Sequence, residues 1–294
     1  MNVVILGAGR LGGVMGEILK NSANVELWDK VPGLVENQKQ LEEIVPKADF
    51  LFLCLPSWVL RGAIEEVKPH LKRETIVVSM SKGIEKDSLK TMDEILEDAL
   101  PEGQRFAFIG GPMMAEEIAK GLGGAGVAAT KEAQVFGALD KLFAGPHVYL
   151  EHSSDVHSVV LAAVLKNIYS VGLGIAAGLE WGGNLKGWLL VKMLREMREI
   201  MKVLGGDPDT VLSLAGLGDV ITTGFSQYSQ NYRAGKDIVD SGRCCIKSEG
   251  TISLPYFLEM LKTEKNNFEF LNVLRQIVIE NKNAREVFEN LKPN

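Results

Sequence analysis

The feature that most limits what this chain can become is a glycine-spaced turn near its start. Gly7-Ala8-Gly9-Arg10-Leu11-Gly12 is a GxGxxG that directly follows the apolar run Val3-Val4-Ile5-Leu6 and opens a stretch of helical periodicity, 10–21. Alone such a turn is a weak signal, but between a strand and a helix it has a mechanism. Gly7 permits the sharp turn, Gly9 lets the backbone approach a pyrophosphate, and Gly12 lets the helix pack closely on the strand. The N–H groups at the helix start, beside Arg10 and Leu11, then face the phosphates. The next strand candidate, Val25-Glu26-Leu27-Trp28, runs into Asp29. A carboxylate there accepts hydrogen bonds from the adenosine ribose hydroxyls and repels a 2′-phosphate. Lys30 and Arg10 offset part of that repulsion. The expected cofactor is therefore NAD rather than NADP.

Strand candidates at 2–6, 25–28, 50–54, 75–79, 106–109, 125–130 and 147–150 alternate with helix candidates at 10–21, 34–44, 58–68, 88–98, 114–120 and 132–143. This alternation implies right-handed crossovers and a doubly wound, mainly parallel sheet. The continuous apolar runs Phe50-Leu51-Phe52-Leu53 and Thr75-Ile76-Val77-Val78 suit strands covered on both faces. Past His152 the strand alternation stops, and long stretches of helical periodicity follow at 155–178 and 185–204. Gly205-Gly206-Asp207-Pro208 marks a stop and a new helix start. The expected organisation is an α/β fold: a Rossmann-type dinucleotide-binding domain over 1–152, then an all-α substrate domain over 153–294. The small-molecule site is expected in the cleft that two such domains leave.

Composition narrows the function classes. Apolar residues make up 46% of the chain, enough for a real core, and the net charge of -6 argues against nucleic acid as the main partner. No run of about 18 uncharged apolar residues occurs, so no membrane span is expected. The opening residues lack the basic start and cleavage site of a signal peptide. Cys54, Cys244 and Cys245 lack metal-ligand or redox spacing, and the histidines form no HExxH pair, so reduced thiols, no metal and a cytoplasmic protein are expected. The apolar stretches 185–201 and 268–279 suit either core or the face of a homodimer, and core is the expectation.

Further segments together resemble the NAD(P)-dependent glycerol-3-phosphate dehydrogenase family. After GAGRLG at 7–12 come LPS at 55–57, SKG at 81–83, GGPMMAEE at 110–117, LKN at 165–167 and GGNLKG at 182–187. AGLGDVITT at 215–223, SQNYRAG at 229–235 and SEG at 248–250 complete the series in the family's order. The resemblance implies reduction of dihydroxyacetone phosphate to glycerol 3-phosphate by a nicotinamide cofactor, so the partner is a small, phosphorylated substrate. It implies that Lys166 is the general acid/base. An ammonium can stabilise a developing alkoxide and give it a proton, and the apolar run Leu161–Leu165 before it should lower its pKa by burial. It implies that Lys82 is a second active-site lysine and that Asp219 orients Lys166 and a substrate hydroxyl. On the residues alone, Asp219 also reads as a helix N-cap. Asn184, Lys186 and Thr222 match further polar positions, and Gly111, Ser229, Asn231 and Arg233 fall in segments that would meet the substrate. Glu249, Pro56 and Ala115 match the cofactor side.

Several positions depart from the family. Gln230 stands where the family has an arginine on the substrate phosphate; a charge-assisted contact is about twice as strong as a neutral one. Arg233, on the same helical face, could replace it. Met113 stands where a small polar residue is usual, and the segment between Asp29 and strand 50–54 is short, as though a family loop were missing. Arg10 and Leu11 replace a small polar residue and an aromatic. These departures keep two alternatives open: a dehydrogenase on the same scaffold acting on another small 2-oxo or 3-hydroxy compound, and a nicotinamide-binding protein without turnover.

Overall fold

A computed structural model describes residues 1–145 and 148–291 and divides them into two units. The first comprises Met1–Lys82 and Lys90–Val160; the second comprises Gly83–Leu89 and the chain from Leu161 onward. The division falls inside a helix, a few residues beyond the boundary expected near 152. The short segment 83–89 groups with the helical unit, where its Ile84 is a core residue.

The first unit is built on one seven-stranded sheet. In chain order it contains β1 (Asn2–Leu6), α1 (Arg10–Leu19), β2 (Asn24–Trp28), α2 (Leu41–Ile44), β3 (Phe50–Leu53), α3 (Leu60–Val67) and β4 (Ile76–Ser79). Next come α4 (Met92–Ala99), β5 (Phe106–Gly110), α5 (Ala115–Ala119), β6 (Gly124–Ala129), α6 (Ala133–Leu142) and β7 (Val148–Ser153). The proposed strand start at His147 lies outside the described residues. The strand order is β2-β1-β3-β4-β5-β6-β7. From β1 the chain winds to one side, then returns to the other, which makes the sheet doubly wound. The reversal places a switch point between β1 and β3, where ligands of such sheets bind at the strands' C-terminal ends.

Two details differ from the sequence reading. The β5–β6 pair is antiparallel, while the other pairs are parallel. At about 1.5 Å per residue the five residues of α5 cover only about 7.5 Å, too little to carry the chain back along the sheet. The helix expected over 34–44 shrinks to α2. Asn37 takes a left-handed conformation (φ 51°), which interrupts a helix, and the Gln38 side chain is used elsewhere. It accepts from the Asp29 N–H (2.8 Å) and donates to the Asp29 carbonyl (3.0 Å), capping the end of β2 like a strand partner.

The second unit is helical: α7 (Val156–Gly178, which begins in the first unit), α8 (Gly183–Val203), α9 (Asp219–Gly224), α10 (Gln230–Ser241), α11 (Glu249–Met260), α12 (Glu269–Val278) and α13 (Ala284–Glu289). α7 is long and apolar enough to cross a membrane, with mean hydropathy 1.8, yet its most apolar stretch is entirely buried within the fold. It is apolar all round, as the central helix of a core is. The stretches weighed as core or dimer face form α8 and α12. They bury Leu189, Met193, Met197, Ile200, Phe270, Leu271 and Leu274 in the core of this unit. Glu196 on α8 holds them in register: its carboxylate accepts from Tyr169 Oη (2.6 Å) and from the Phe270 and Leu271 N–H groups (2.8 Å each) that open α12.

In the first unit, buried Asp93 at the start of α4 contacts His157 Nδ1 at 2.8 Å. Burial alone would raise this carboxyl, but hydrogen bonds from His157 and Thr91, with the histidine's charge, outweigh it and hold it below the usual aspartate value. A depressed carboxylate contributes stability above its unfolded pKa and loses it as pH falls through the folded one. Asp93→Asn should therefore cost about 2 kcal/mol near pH 6, the order of one charged hydrogen bond. That deficit should shrink below about pH 4, where unfolded aspartate begins to protonate. Thermal unfolding of both proteins at pH 6 and pH 3 checks this; an unchanged gap would refute it.

Candidate active site

The glycine turn sits at the switch point. Gly7 has φ +98°, and a Cβ there would lie 2.4 Å from the Cys54 carbonyl oxygen at the end of β3. A Cβ on Gly12 would lie 1.7 Å from the Gly7 carbonyl oxygen. Both glycines are thus demanded by the protein's own packing. Gly9 is different: it has an ordinary φ of -64°, and a Cβ would meet nothing within 4 Å. Its bare face is open space above the start of α1, which fits a pyrophosphate approaching the helix N-terminus.

From Gly7 and Gly9 a groove of about 660 Å³ runs past Trp28, Asp29 and Val31 on one side and Leu55, Pro56, Trp58 and Gly62 on the other. That volume lies within the usual range for small-molecule sites. Asp29 stands at the rim with its carboxylate already oriented: Oδ2 accepts from the Ala8 N–H (2.7 Å) and Oδ1 from the Val31 N–H (2.9 Å). Each oxygen keeps a second lone pair for a hydroxyl donor. The nearby cations face carboxylates. Arg10 meets Glu116 (3.2 Å) and Lys30 meets Glu66 (3.9 Å). Leu11 packs against the core of the unit. Cys54 also lines the groove, but burial pushes its thiol up to about 12, so it offers no thiolate.

The GGPMMAEE segment turns out to be shaped largely by the sheet. Gly111 has φ +123°, and a Cβ would lie 2.9 Å from Gly126 Cα, so the backbone itself requires glycine. Met113 is buried in the apolar core, its sulfur against Gly126, and Ala115 is the buried first residue of α5. The methionine's departure from the family pattern is thus a packing substitution. Lys82 is half-buried just past β4.

In the second unit, Lys166, Asp219 and Thr223 form a closed ring. Lys166 Nζ lies 3.0 Å from Asp219 Oδ2 and donates to Thr223 Oγ1 (2.9 Å), while Thr223 Oγ1 donates to Asp219 Oδ1 (3.0 Å). The lysine and aspartate side chains are only 7% and 3% exposed. Local structure explains how the aspartate gets there. Residues Leu214–Gly218 form one turn of π-helix, with the Gly218 N–H on the Ser213 carbonyl (3.2 Å). A Cβ on Gly216 would lie 2.2 Å from the Val211 carbonyl oxygen. The widened, glycine-dependent turn feeds Asp219 into α9 with its carboxylate inward, so its side chain serves the lysine.

A second buried chain of amides abuts this ring. Asn231 Nδ2 donates to Asn167 Oδ1 (2.8 Å), and the Gly250 N–H donates to Asn231 Oδ1 (2.9 Å). This ties the residue after Lys166 to the starts of α10 and α11, where a Cβ on Gly250 would lie 2.3 Å from the Asn167 carbonyl oxygen. Ser229 caps α10 through the Tyr232 N–H. Glu249 opens α11 and is half-buried. Gln230 and Arg233 are both exposed on the first turns of α10. Asn184 is exposed and Lys186 half-buried in the first turn of α8.

Thr222 does not join the ring; its hydroxyl turns back to the Gly218 carbonyl (3.1 Å). Thr223 is the residue that the sequence reading missed, together with Asn167. The signal was available: Thr223 is four residues after Asp219 and so shares its helical face. Among the described residues no cluster of His, Cys, Asp and Glu could hold a metal.

Comparison with known proteins identifies the family. Residues 29–136 match the model of the NAD-dependent glycerol-3-phosphate dehydrogenase N-terminus, and residues 155–289 match that of its C-terminus. A glycerol-3-phosphate dehydrogenase [NAD(P)+] of Geobacter metallireducens is 32% identical over 256 residues, covering 79% of this chain and 76% of the relative. One from Syntrophotalea carbinolica is 29% identical over 325 residues, covering 99% and 97%. That span exceeds this chain's length, so the relative carries segments absent here. The crystal structure of glycerol-3-phosphate dehydrogenase from Coxiella burnetii superposes with a TM-score of 0.86 at 24% identity, covering 99% of this chain and 98% of that one. On the family models that match both its halves and on its curated relatives, this chain belongs to the NAD(P)-dependent glycerol-3-phosphate dehydrogenase family.

Proposed function

We propose that this protein interconverts dihydroxyacetone phosphate and sn-glycerol 3-phosphate, with NAD(H) as the redox partner. The observation that carries the reading is the buried Lys166–Thr223–Asp219 ring, an acid/base lysine held in one orientation by two partners. When bound, the nicotinamide supplies the hydride for the carbonyl carbon. The chain supplies the rest. Lys166 Nζ gives a proton to the carbonyl oxygen as it gains charge, and is left as a neutral amine until solvent returns the proton. Asp219 and Thr223 keep the amine from rotating away, while Asn167 and Asn231 brace the helix that carries it.

The groove supports NAD over NADP. Asp29 puts a fixed negative charge at the ribose, and Lys30 and Arg10, the cations that could neutralise a 2′-phosphate, face Glu66 and Glu116 instead. NADH should bind at least about tenfold more tightly than NADPH, equivalent to about 1.4 kcal/mol. Fluorescence titration with both measures it, and tighter NADPH binding would overturn the assignment.

One observation favours a second reading. The neutral Gln230 at the start of α10 suits a substrate without a phosphate, on the same scaffold and with the same lysine. NADH oxidation followed with dihydroxyacetone phosphate and with a panel of 2-oxo acids separates the two. Turnover confined to a 2-oxo acid would replace the first reading by the second.

A further inference from the structure

Lys82 stands where the chain passes from one unit to the other. The first unit is left directly after it, and Gly83–Leu89 belong to the helical unit before the chain returns at Lys90. Upstream of the lysine the sheet holds the backbone. The Met80 N–H donates to the Leu53 carbonyl (3.0 Å), and buried Ser81 donates its N–H to Ser79 Oγ (3.3 Å). Downstream the hold is of another kind. Residues 81–88 read Ser-Lys-Gly-Ile-Glu-Lys-Asp-Ser, with Ile84 as their one large apolar side chain. A polar connection of this kind belongs on the surface, and Lys86, Asp87 and Ser88 are exposed. Ile84 is not: it is 2% exposed and lies in the apolar core of the helical unit.

The backbone on either side is shaped to deliver it there. Gly83, between the lysine and the isoleucine, has φ 149°, a conformation that side-chain-bearing residues rarely adopt. Beyond Ile84 the chain makes a single closed turn. The Leu89 N–H donates to the Glu85 carbonyl (2.9 Å), and Ser88 Oγ donates to the Glu85 carboxylate. Leu89 ends the turn with φ 56°, where glycine or asparagine is the usual choice. A bulky residue keeps such a conformation only where its surroundings over-determine it.

We propose that Ile84 is a positioning residue for Lys82. Buried in the core of the helical unit, it fixes the backbone two residues after the lysine, as the sheet fixes it two residues before, so that the ammonium is presented in one place. This rests on reading Lys82 as an active-site lysine of the proposed reaction. A cation assists a ketone reduction only from where charge develops, and a misplacement of about 1 Å can cost about a hundredfold in rate. An ammonium on a loosened loop still attracts an anionic substrate, so the loss falls on kcat rather than on KM.

Steady-state kinetics with NADH and dihydroxyacetone phosphate test this, with rates taken well below each unfolding midpoint. Ile84→Ala should lower kcat by about ten- to a hundredfold and move KM by less than about threefold. Ile84→Val, which removes a single methylene, should keep kcat within about threefold of the unmodified protein. Ile277→Ala makes the same truncation in the same core, on α12 and far along the chain from Lys82. It should lower the unfolding midpoint comparably and leave kcat within about twofold. The decisive arm is a double-mutant cycle. On a Lys82→Ala background, itself slowed, Ile84→Ala should cost less than about a further twofold, because the group that it positions is gone. Equal kcat losses in Ile84→Ala and Ile277→Ala, or a full additive loss on the Lys82→Ala background, would reduce Ile84 to core packing and overturn the proposal. A Lys82→Ala variant with kcat and KM intact would remove the lysine from the site, and the role of Ile84 with it. If the unmodified protein does not turn over dihydroxyacetone phosphate, the proposed reaction itself fails, and a residue positioned for that reaction fails with it.

Discussion

Replacing Lys166 by alanine should lower kcat by about 10²–10⁴-fold, the usual contribution of a positioned general acid. The dissociation constant for NADH should stay within about twofold, because the groove proposed for the cofactor is lined by the first unit and the lysine lies on α7 in the second. The ring makes a sharper forecast than the loss of one lysine. Alanine at 166 leaves Asp219 buried without its ion-pair partner, and an uncompensated buried charge destabilises by about 3–5 kcal/mol. The variant should therefore also unfold at a lower temperature. Lys166→Met, which fills the same space, should lose activity equally but with a pH-dependent stability, recovering where Asp219 can take up a proton. Thr223→Val should fall between, since it removes one hydrogen bond to Nζ and leaves the ion pair. Steady-state rates, NADH titration and thermal unfolding together check the set. Turnover that survives in Lys166→Ala with its kcat intact would mean that the proton comes from another group.

The second large effect concerns the phosphate. Installing the family's charge with Gln230→Arg should lower the KM for dihydroxyacetone phosphate by about ten- to a hundredfold, since a hydrogen bond to a charged group contributes about 1.5–3 kcal/mol. If Arg233 already acts as the phosphate contact from one turn further along α10, Arg233→Ala should raise that KM to a similar extent. Gln230→Arg should then rescue the alanine variant. Both residues are exposed on the same helical face, so neither change disturbs the core. The neighbouring Asn231, by contrast, is buried and bonded to Asn167 and Gly250, and it should not be used for this purpose. Unchanged KM values in both single variants would show that α10 does not read the phosphate, and would strengthen the case for an unphosphorylated substrate.

Much of the fold and part of the site could be read from consecutive residues. Gly7 by its φ of +98° and Gly12 by the Gly7 carbonyl are required within their own strand–turn–helix unit, whereas the Cys54 carbonyl that also crowds Gly7 comes from a distant strand end. The strands β1, β3 and β4 show as continuous apolar runs because both of their faces are covered. The Ser248 and Thr91 caps likewise belong to short-range chemistry, each satisfying N–H groups within three residues. Lys166 and Asp219 were reached differently, through family motifs, because spacing in sequence says nothing about two groups 53 positions apart.

Where local rules gave out, packing made the choice. Thr222 and Thr223 are adjacent and chemically identical. A helix rotates by about 100° between them, so which one meets Lys166 depends on how α9 is turned, and that is set by the π-turn before it. Met113 looked like a lost polar contact, but the sheet draws its side chain into the core. The 34–44 segment has helical periodicity, yet Gln38 binds the end of β2 instead, a contact that exists only once the sheet has formed. The walls of the first unit's groove are assembled from Val31 and Leu34 after one strand and Trp58 and Gly62 after another. The chain's own pattern thus established the glycine turn between strand and helix, the alternating α/β half and the helical half, because steric and periodic constraints act between near neighbours. The partners of the lysine and the walls of the groove were left to the tertiary structure, because they join residues that meet only when distant elements pack.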